Sequence, residues 1–144
     1  MMYIVSACLL GINCKYNGEN NYSEAVESLI KGHRYVAVCP EVSAGMVPPR
    51  PPSEIRNDRV YSKEGDDLTE LFLEGAEASW EEALQEAERF GEDIELAILK
   101  ARSPSCGAGV IYDGTFNSVR VKGDGFFARV LKEKGIKTIT EEDC

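Results

Sequence analysis

The chain has 144 residues, 43% of them hydrophobic and 28% charged, a globular composition of a size that one domain fills. Its formal net charge of -9, with no basic stripe, opposes a nucleic-acid backbone and suits a small neutral partner better. No apolar run reaches the roughly 18 residues that a membrane-spanning helix needs, so no membrane role is expected.

Met1 to Ser6 pass straight into a strand pattern, without the basic region and apolar core of a secretory leader. The expected compartment is the reducing cytoplasm. Five cysteines, at 8, 14, 39, 106 and 144, make an odd number and are expected to be free there. No Cys-x-x-Cys occurs, which excludes zinc ribbons and thioredoxin-like motifs on spacing. Any shared cysteine site has to be assembled by the fold.

Tyr3 to Ala7 is a short β-rich run, and Cys8 lies just beyond it. Asn17-Gly18 is a turn signal. Ser23 to Lys31 predicts a helix with Ala25, Val26, Leu29 and Ile30 on one face and Gly32 as its stop. Arg34 to Val38 predicts a second strand, ended by Cys39-Pro40-Glu41 because Pro40 cannot continue a central ladder. His33, the lone histidine, follows a helix-stopping glycine and is expected on the surface.

Val42 to Ser62 is proline-rich and irregular, either a solvated polyproline-like loop or a rigid wall or lid with Arg50 and Glu54 directed at a pocket or at each other. Arg59 to Ser62 reads as a short strand or edge hairpin. Asp67 to Phe90 predicts the longest helix, with Asp67 and Glu70 as a capping box, Gly91 as the stop and Trp80 in the core. Ile94 to Leu99 is an apolar run of buried-strand length. After it, Val110 to Tyr112 and Val119 to Lys122 read as strands, with Asp113-Gly114 as a hairpin turn. Phe126 to Lys134 predicts a helix and Ile136 to Thr140 a last strand; Cys144 is expected to be an inert terminal thiol. The fold these elements predict is α/β. It is a small three-layer domain over residues 1–144 with a mostly parallel central sheet, Rossmann- or flavodoxin-like.

Between Leu99 and Val110 stands Ser103-Pro104-Ser105-Cys106-Gly107-Ala108-Gly109. Pro104 biases Ser103 away from the helical region, and the glycines allow close approach of the backbone to a bound group. Cys8, Cys39 and Cys106 thus each follow a predicted strand. In a parallel sheet such ends lie side by side, where ligands bind. The plain alternative is three buried core cysteines. As a site, three thiolates hold zinc or an iron–sulfur cluster and leave one coordination position open. Glu41, two residues from Cys39, and Ser103, three from Cys106, would face the same cavity. Sulfur ligation alone does not separate zinc from iron.

Several stretches, in order, resemble the signatures of a bacterial family that includes thiouracil desulfidases. They are Ser6-Ala7-Cys8-Leu9-Leu10-Gly11 with Tyr16 and Gly18, Cys39-Pro40-Glu41-Val42, and Pro49-Arg50-Pro51-Pro52-Ser53-Glu54-Ile55. Gly65-Asp66, Gly75-Ala76 and Ser103-Pro104-Ser105-Cys106-Gly107 follow, so the likeness runs over nearly the whole chain. It implies a 4Fe–4S cluster on Cys8, Cys39 and Cys106, with Glu41 and Ser103 as catalytic residues. Cys14 falls where the family accepts other residues and is left out as a ligand. Ala44 stands where glycine is usual, which bears on pocket shape and not on the cluster. The implied mechanism is non-redox. The sulfur of 2-thiouracil or a similar base binds the iron that lacks a protein ligand, Glu41 activates water, and Ser103 relays a proton or positions the base. Uracil and hydrosulfide result, and a free thiolated base, not nucleic acid, is the expected partner. The alternative from another class is a small sulfide- or zinc-binding module without turnover.

Overall fold

The computed structural model describes residues 1–144. In chain order its first elements are β1 (Met2–Ser6), α1 (Glu24–Ile30), β2 (Arg34–Val38) and α2 (Pro40–Ser43). Next come β3 (Ser53–Arg56), β4 (Arg59–Ser62), α3 (Thr69–Phe90) and β5 (Ile94–Leu99). The chain finishes with β6 (Val110–Tyr112), β7 (Arg120–Lys122), α4 (Phe126–Glu133) and β8 (Lys137–Thr140). Strands β2, β1, β5 and β8 join in that order into one sheet in which every pairing is parallel. The pairs β3–β4 and β6–β7 are antiparallel and stand outside it. No helix is long and apolar enough to cross a membrane.

Side-chain alternation along the strands divides the core between two faces. Ile4, Ala97 and Leu99 pack with Phe72 and Ala76 of α3 and Phe127 and Leu131 of α4. Val5 and Ile98 turn the other way, onto Leu9 and onto Val26 and Ile30 of α1. Helices on both faces of a parallel sheet make the predicted three layers. Helix α1 is only seven residues long, so it touches the sheet along one narrow i, i+4 stripe. Ala25 and Leu29, expected on its inner face, are exposed. Ser23 caps it by accepting the Val26 N–H at 3.3 Å.

Local chemistry changes three expectations. Asp67 does not build a capping box with Glu70. Its Oδ1 accepts the Thr69 hydroxyl at 2.6 Å and the Thr69 N–H at 3.0 Å, while Oδ2 accepts Arg59 Nε at 2.7 Å. The Thr69 hydroxyl and then Arg59 hold that carboxyl down at about 2. The irregular stretch contains a full hairpin, β3–β4, turned by Asn57 and Asp58 in left-handed conformation (φ 52° and 61°). Strands β6 and β7 are joined by residues 113–119, closed by Asp113 N–H to Val119 O at 2.9 Å, and not by a two-residue turn. His33 is exposed and stacks on Tyr3 at 4.7 Å. Trp80 is half-buried against the larger core, under the Lys134 ammonium.

Helices α2 and α3 meet at Gly75, where an added Cβ would stand 2.0 Å from the Pro40 carbonyl oxygen and 3.2 Å from Ala44 Cβ. Backbone cannot yield there as a side-chain tip can. Gly75→Ala is expected to destabilise the fold by about 1–3 kcal/mol through overpacking, a fall in Tm of several degrees for a domain of this size. Thermal unfolding followed by circular dichroism measures it. An unchanged Tm would show that α2 shifts away freely.

Candidate active site

The ends of β2, β1 and β5 lie next to one another at the carboxyl edge of the sheet. Beyond β1 the chain makes a single 3-10 turn, Ala7–Leu10, which carries Cys8 and stops at Gly11 in left-handed conformation (φ 87°). Beyond β2, Cys39 stands at the N-cap of α2 with Pro40 in the first helical position, where its missing N–H costs nothing. Pro40 therefore ends the strand by opening a one-turn helix, and that helix carries Glu41. Cys106 sits on the longer loop after β5. Cys8, Cys39, Cys106, Glu41 and Ser103 all line one cavity of about 390 Å³. Cys14, Arg50, Glu54 and Ser105 line it too.

The loop after β5 is held from inside and from behind. Ser103 Oγ accepts the N–H groups of Ser105 and Cys106 at 3.1 and 3.0 Å. Helix α4 starts directly on this loop: Phe126 N–H donates to Pro104 O at 3.0 Å and Phe127 N–H to Ser105 O at 2.9 Å. No side chain caps α4. Gly125 permits the approach, since a Cβ there would lie 2.5 Å from Ser105 O.

Glu41 is gripped at both oxygens. Arg50 Nε donates to Oε1 at 3.1 Å and the Ser105 hydroxyl to Oε2 at 3.0 Å. Arg50 also donates to Met46 O at 2.9 Å and to Cys14 O at 2.8 Å, so one guanidinium ties α2 to the loop that carries Cys14. The two charged side chains are only 10% and 16% exposed, which shields the pair from the screening that weakens surface ion pairs. Glu54, the other residue read as pocket-directed, lines the cavity and also accepts the Gly114 and Phe116 N–H groups at 3.1 Å each, which pins the loop between β6 and β7. Arg50 reaches the pocket as one reading of the sequence had it, but its pairing with Glu41, and that of Ser105, was not foreseen.

Four thiols share the cavity. Cys14 is buried, and the Cys39 thiol donates to its backbone oxygen at 3.9 Å. The neighbouring Cys14 thiol brings Cys39 down to about 7 and also lowers Cys8, while those two neighbours push Cys14 itself far up. Burial pushes up the Cys106 thiol, which lies beside the Ser6 hydroxyl. Cys39 and Cys8 are therefore the first to become thiolates, the form that ligates metal. Cys106 follows when a cation compensates the charge.

No three His, Cys, Asp or Glu side chains stand close enough together to hold a single metal ion. Three thiolates on one zinc, at about 2.3 Å each, would have to lie about 3.8 Å from one another. The cavity's thiols make an all-sulfur donor set, which suits soft ligation such as that of an iron–sulfur cluster.

Comparison with known proteins follows the same lines. The sequence model of the 2-thiouracil desulfurase family matches residues 3–143. A protein of Bacillus subtilis (strain 168) that carries the name "Uncharacterized protein YbbK" is 37% identical over 152 aligned positions, covering 99% of this chain and 97% of that one. The solved structure of the 4Fe–4S-dependent thiouracil desulfidase TudS matches with a TM-score of 0.83 at 39% identity, over 99% of this chain and 91% of that one. The family match runs over nearly the whole chain, and the chain belongs to the 2-thiouracil desulfurase family.

Proposed function

We propose that this protein hydrolyses the thiocarbonyl group of a free thiolated base such as 2-thiouracil, giving uracil and hydrosulfide, with a 4Fe–4S cluster held by Cys8, Cys39 and Cys106. The observation that carries the reading is the company these thiols keep. Three sulfur donors from neighbouring strand ends line the same cavity as an ion-paired carboxylate and two serine hydroxyls. The donor set is all sulfur, which iron–sulfur clusters take. When bound, a cluster with one iron free of protein ligands supplies a Lewis acid for the thiocarbonyl sulfur.

The chain's own residues supply the rest. Arg50 and Ser105 fix the Glu41 carboxylate so that it can take a proton from water as the water oxygen attacks the thiocarbonyl carbon. Ser103 and Ser105 hold hydroxyl protons beside it. The carbon–sulfur bond breaks with its electron pair on sulfur, so nothing is oxidised or reduced. The cavity's cations are mostly spent: Arg50 pairs with Glu41 at 3.1 Å, Lys100 with Glu141 at 2.8 Å and Arg102 with Glu142 at 2.7 Å. A phosphate would find little free charge there, which favours a base without one.

Anaerobically reconstituted protein is expected to contain iron and sulfide in equal amounts. It should convert 2-thiouracil to uracil with release of one hydrosulfide per base, followed by the loss of thiocarbonyl absorbance, and cluster-free protein should be inert. Loaded protein that leaves 2-thiouracil unchanged, or that carries one zinc in place of iron, would overturn the reading.

A further inference from the structure

The Ser105 hydroxyl is hydrogen-bonded to both Glu41 and Ser103. Its Oγ donates to Glu41 Oε2 at 3.0 Å and lies 3.0 Å from Ser103 Oγ. A hydroxyl has one proton to give. Ser105 gives its proton to Glu41, so the contact with Ser103 is filled by the Ser103 proton. Ser103 Oγ already accepts two backbone N–H groups. While Glu41 is charged, then, the proton and both lone pairs of Ser103 are engaged inside the loop. Ser105 is 2% exposed, so bulk water cannot stand in for it.

We propose that Ser105 is a proton relay that carries the proton taken up by Glu41 on to Ser103, and through it to the departing sulfur. The proposal rests on the desulfuration reading above. Once Glu41 Oε2 has taken a proton from the attacking water, it becomes the donor of the pair, and the hydrogen-bond chain reverses. The proton on Glu41 passes to Ser105 Oγ as the Ser105 proton passes to Ser103 Oγ and the Ser103 proton passes to sulfur. Each hydroxyl loses one proton and gains one, Glu41 returns to carboxylate, and sulfur departs as hydrosulfide with the electron pair of the broken carbon–sulfur bond. The second water proton leaves to solvent as the new carbonyl forms. Ser103 thereby offers its proton outward only after water has been activated, which orders the two halves of the reaction.

The test uses cluster-loaded Ser105→Ala, Ser103→Ala, the double variant and Ser105→Thr. The expected Ser105→Ala protein keeps the visible absorbance of the cluster and binds uracil within about twofold of the parent by calorimetry, and its kcat falls about 10²-fold. Because both serines serve one path, the double variant is expected to be no slower than the slower single variant by more than about threefold. Ser105→Thr, which retains a hydroxyl, regains most of the rate. Turnover of Ser105→Ala at the parent rate, or losses that multiply in the double variant, would overturn the relay. A second measurement does not need turnover. With 13C-labelled glutamate carboxyls and Glu41→Gln as the blank, the infrared band of Glu41 is expected to shift in Ser105→Ala and also in Ser103→Ala. A band that ignores Ser103→Ala breaks the chain at Ser105. A loaded parent that does not desulfurate 2-thiouracil overturns the reading of function instead, and the infrared result then decides the relay by itself.

Discussion

Cys8→Ser, Cys39→Ser and Cys106→Ser are each expected to lose the cluster after anaerobic reconstitution, while Cys14→Ser and Cys144→Ser keep it. A serine hydroxyl does not become the soft anion that iron–sulfur ligation needs, and each of these substitutions removes one of only three proposed ligands. The five thiols differ in place and not in kind. Cys8, Cys39 and Cys106 come from the ends of β1, β2 and β5, three strands that are neighbours in the sheet. Cys144 lies exposed at the chain end, its S–H on the Thr140 carbonyl. Cys14 is the close competitor, because it lines the same cavity and its backbone oxygen accepts the Cys39 thiol at 3.9 Å. What sets it apart is its place on the loop after β1 and not at a strand end of its own. Iron and sulfide per chain, together with visible absorbance, decide the matter. Iron lost from Cys14→Ser but kept by one of the three would show that the triad is a different one.

Glu41→Gln is expected to keep the cluster's absorbance and the ability to bind thiouracil, yet to turn over at least about a hundredfold more slowly, the loss typical of removing a well-placed general base. The substitution preserves size but not acceptor capacity. Glu41 faces two donors, Arg50 Nε and the Ser105 hydroxyl. A glutamine keeps its oxygen on the guanidinium and turns its NH2 toward Ser105, so the hydroxyl there must accept where it now donates. Both the base and the direction of the serine chain are lost together. Anaerobic turnover of 2-thiouracil at saturating substrate measures the change. Turnover at the parent rate with the cluster intact would make Glu41 a structural residue and put the base elsewhere.

The strands that carry the site were legible where an apolar, β-branched run meets a breaker. Arg34–Val38 before Cys39-Pro40 and Ile94–Leu99 before Ser103-Pro104 are the two clearest cases, and both run as read. The convergence of Cys8, Cys39 and Cys106 followed from parallel pairing alone. The order β2-β1-β5-β8 did not, because it depends on how long crossovers pack and not on any local pattern. Pro40 was ambiguous by nature, since the residue that ends a ladder also opens a helix. The pairing of Arg50 with Glu41 was beyond reach: Arg50 stands in a proline run with no periodicity, and its partner is chosen by the fold. Cys14 is buried by a loop folding back on the sheet edge, which leaves no mark in its neighbours. Asn57-Asp58 was the missed signal, a pair that tolerates left-handed backbone in the middle of a stretch read as irregular.

Helix α4 begins on the carbonyl oxygens of Pro104 and Ser105. The first N–H groups of a helix have no partner within it, so these bonds are what keeps the start of α4 closed. The loop that holds Ser103, Ser105 and Cys106 cannot lift away without freeing them. Loop and helix start thus form one opening unit, with a shared free energy of detachment. Amide hydrogen exchange at Phe126 and Phe127, two backbone positions that take no part in the chemistry, keeps time for the catalytic loop.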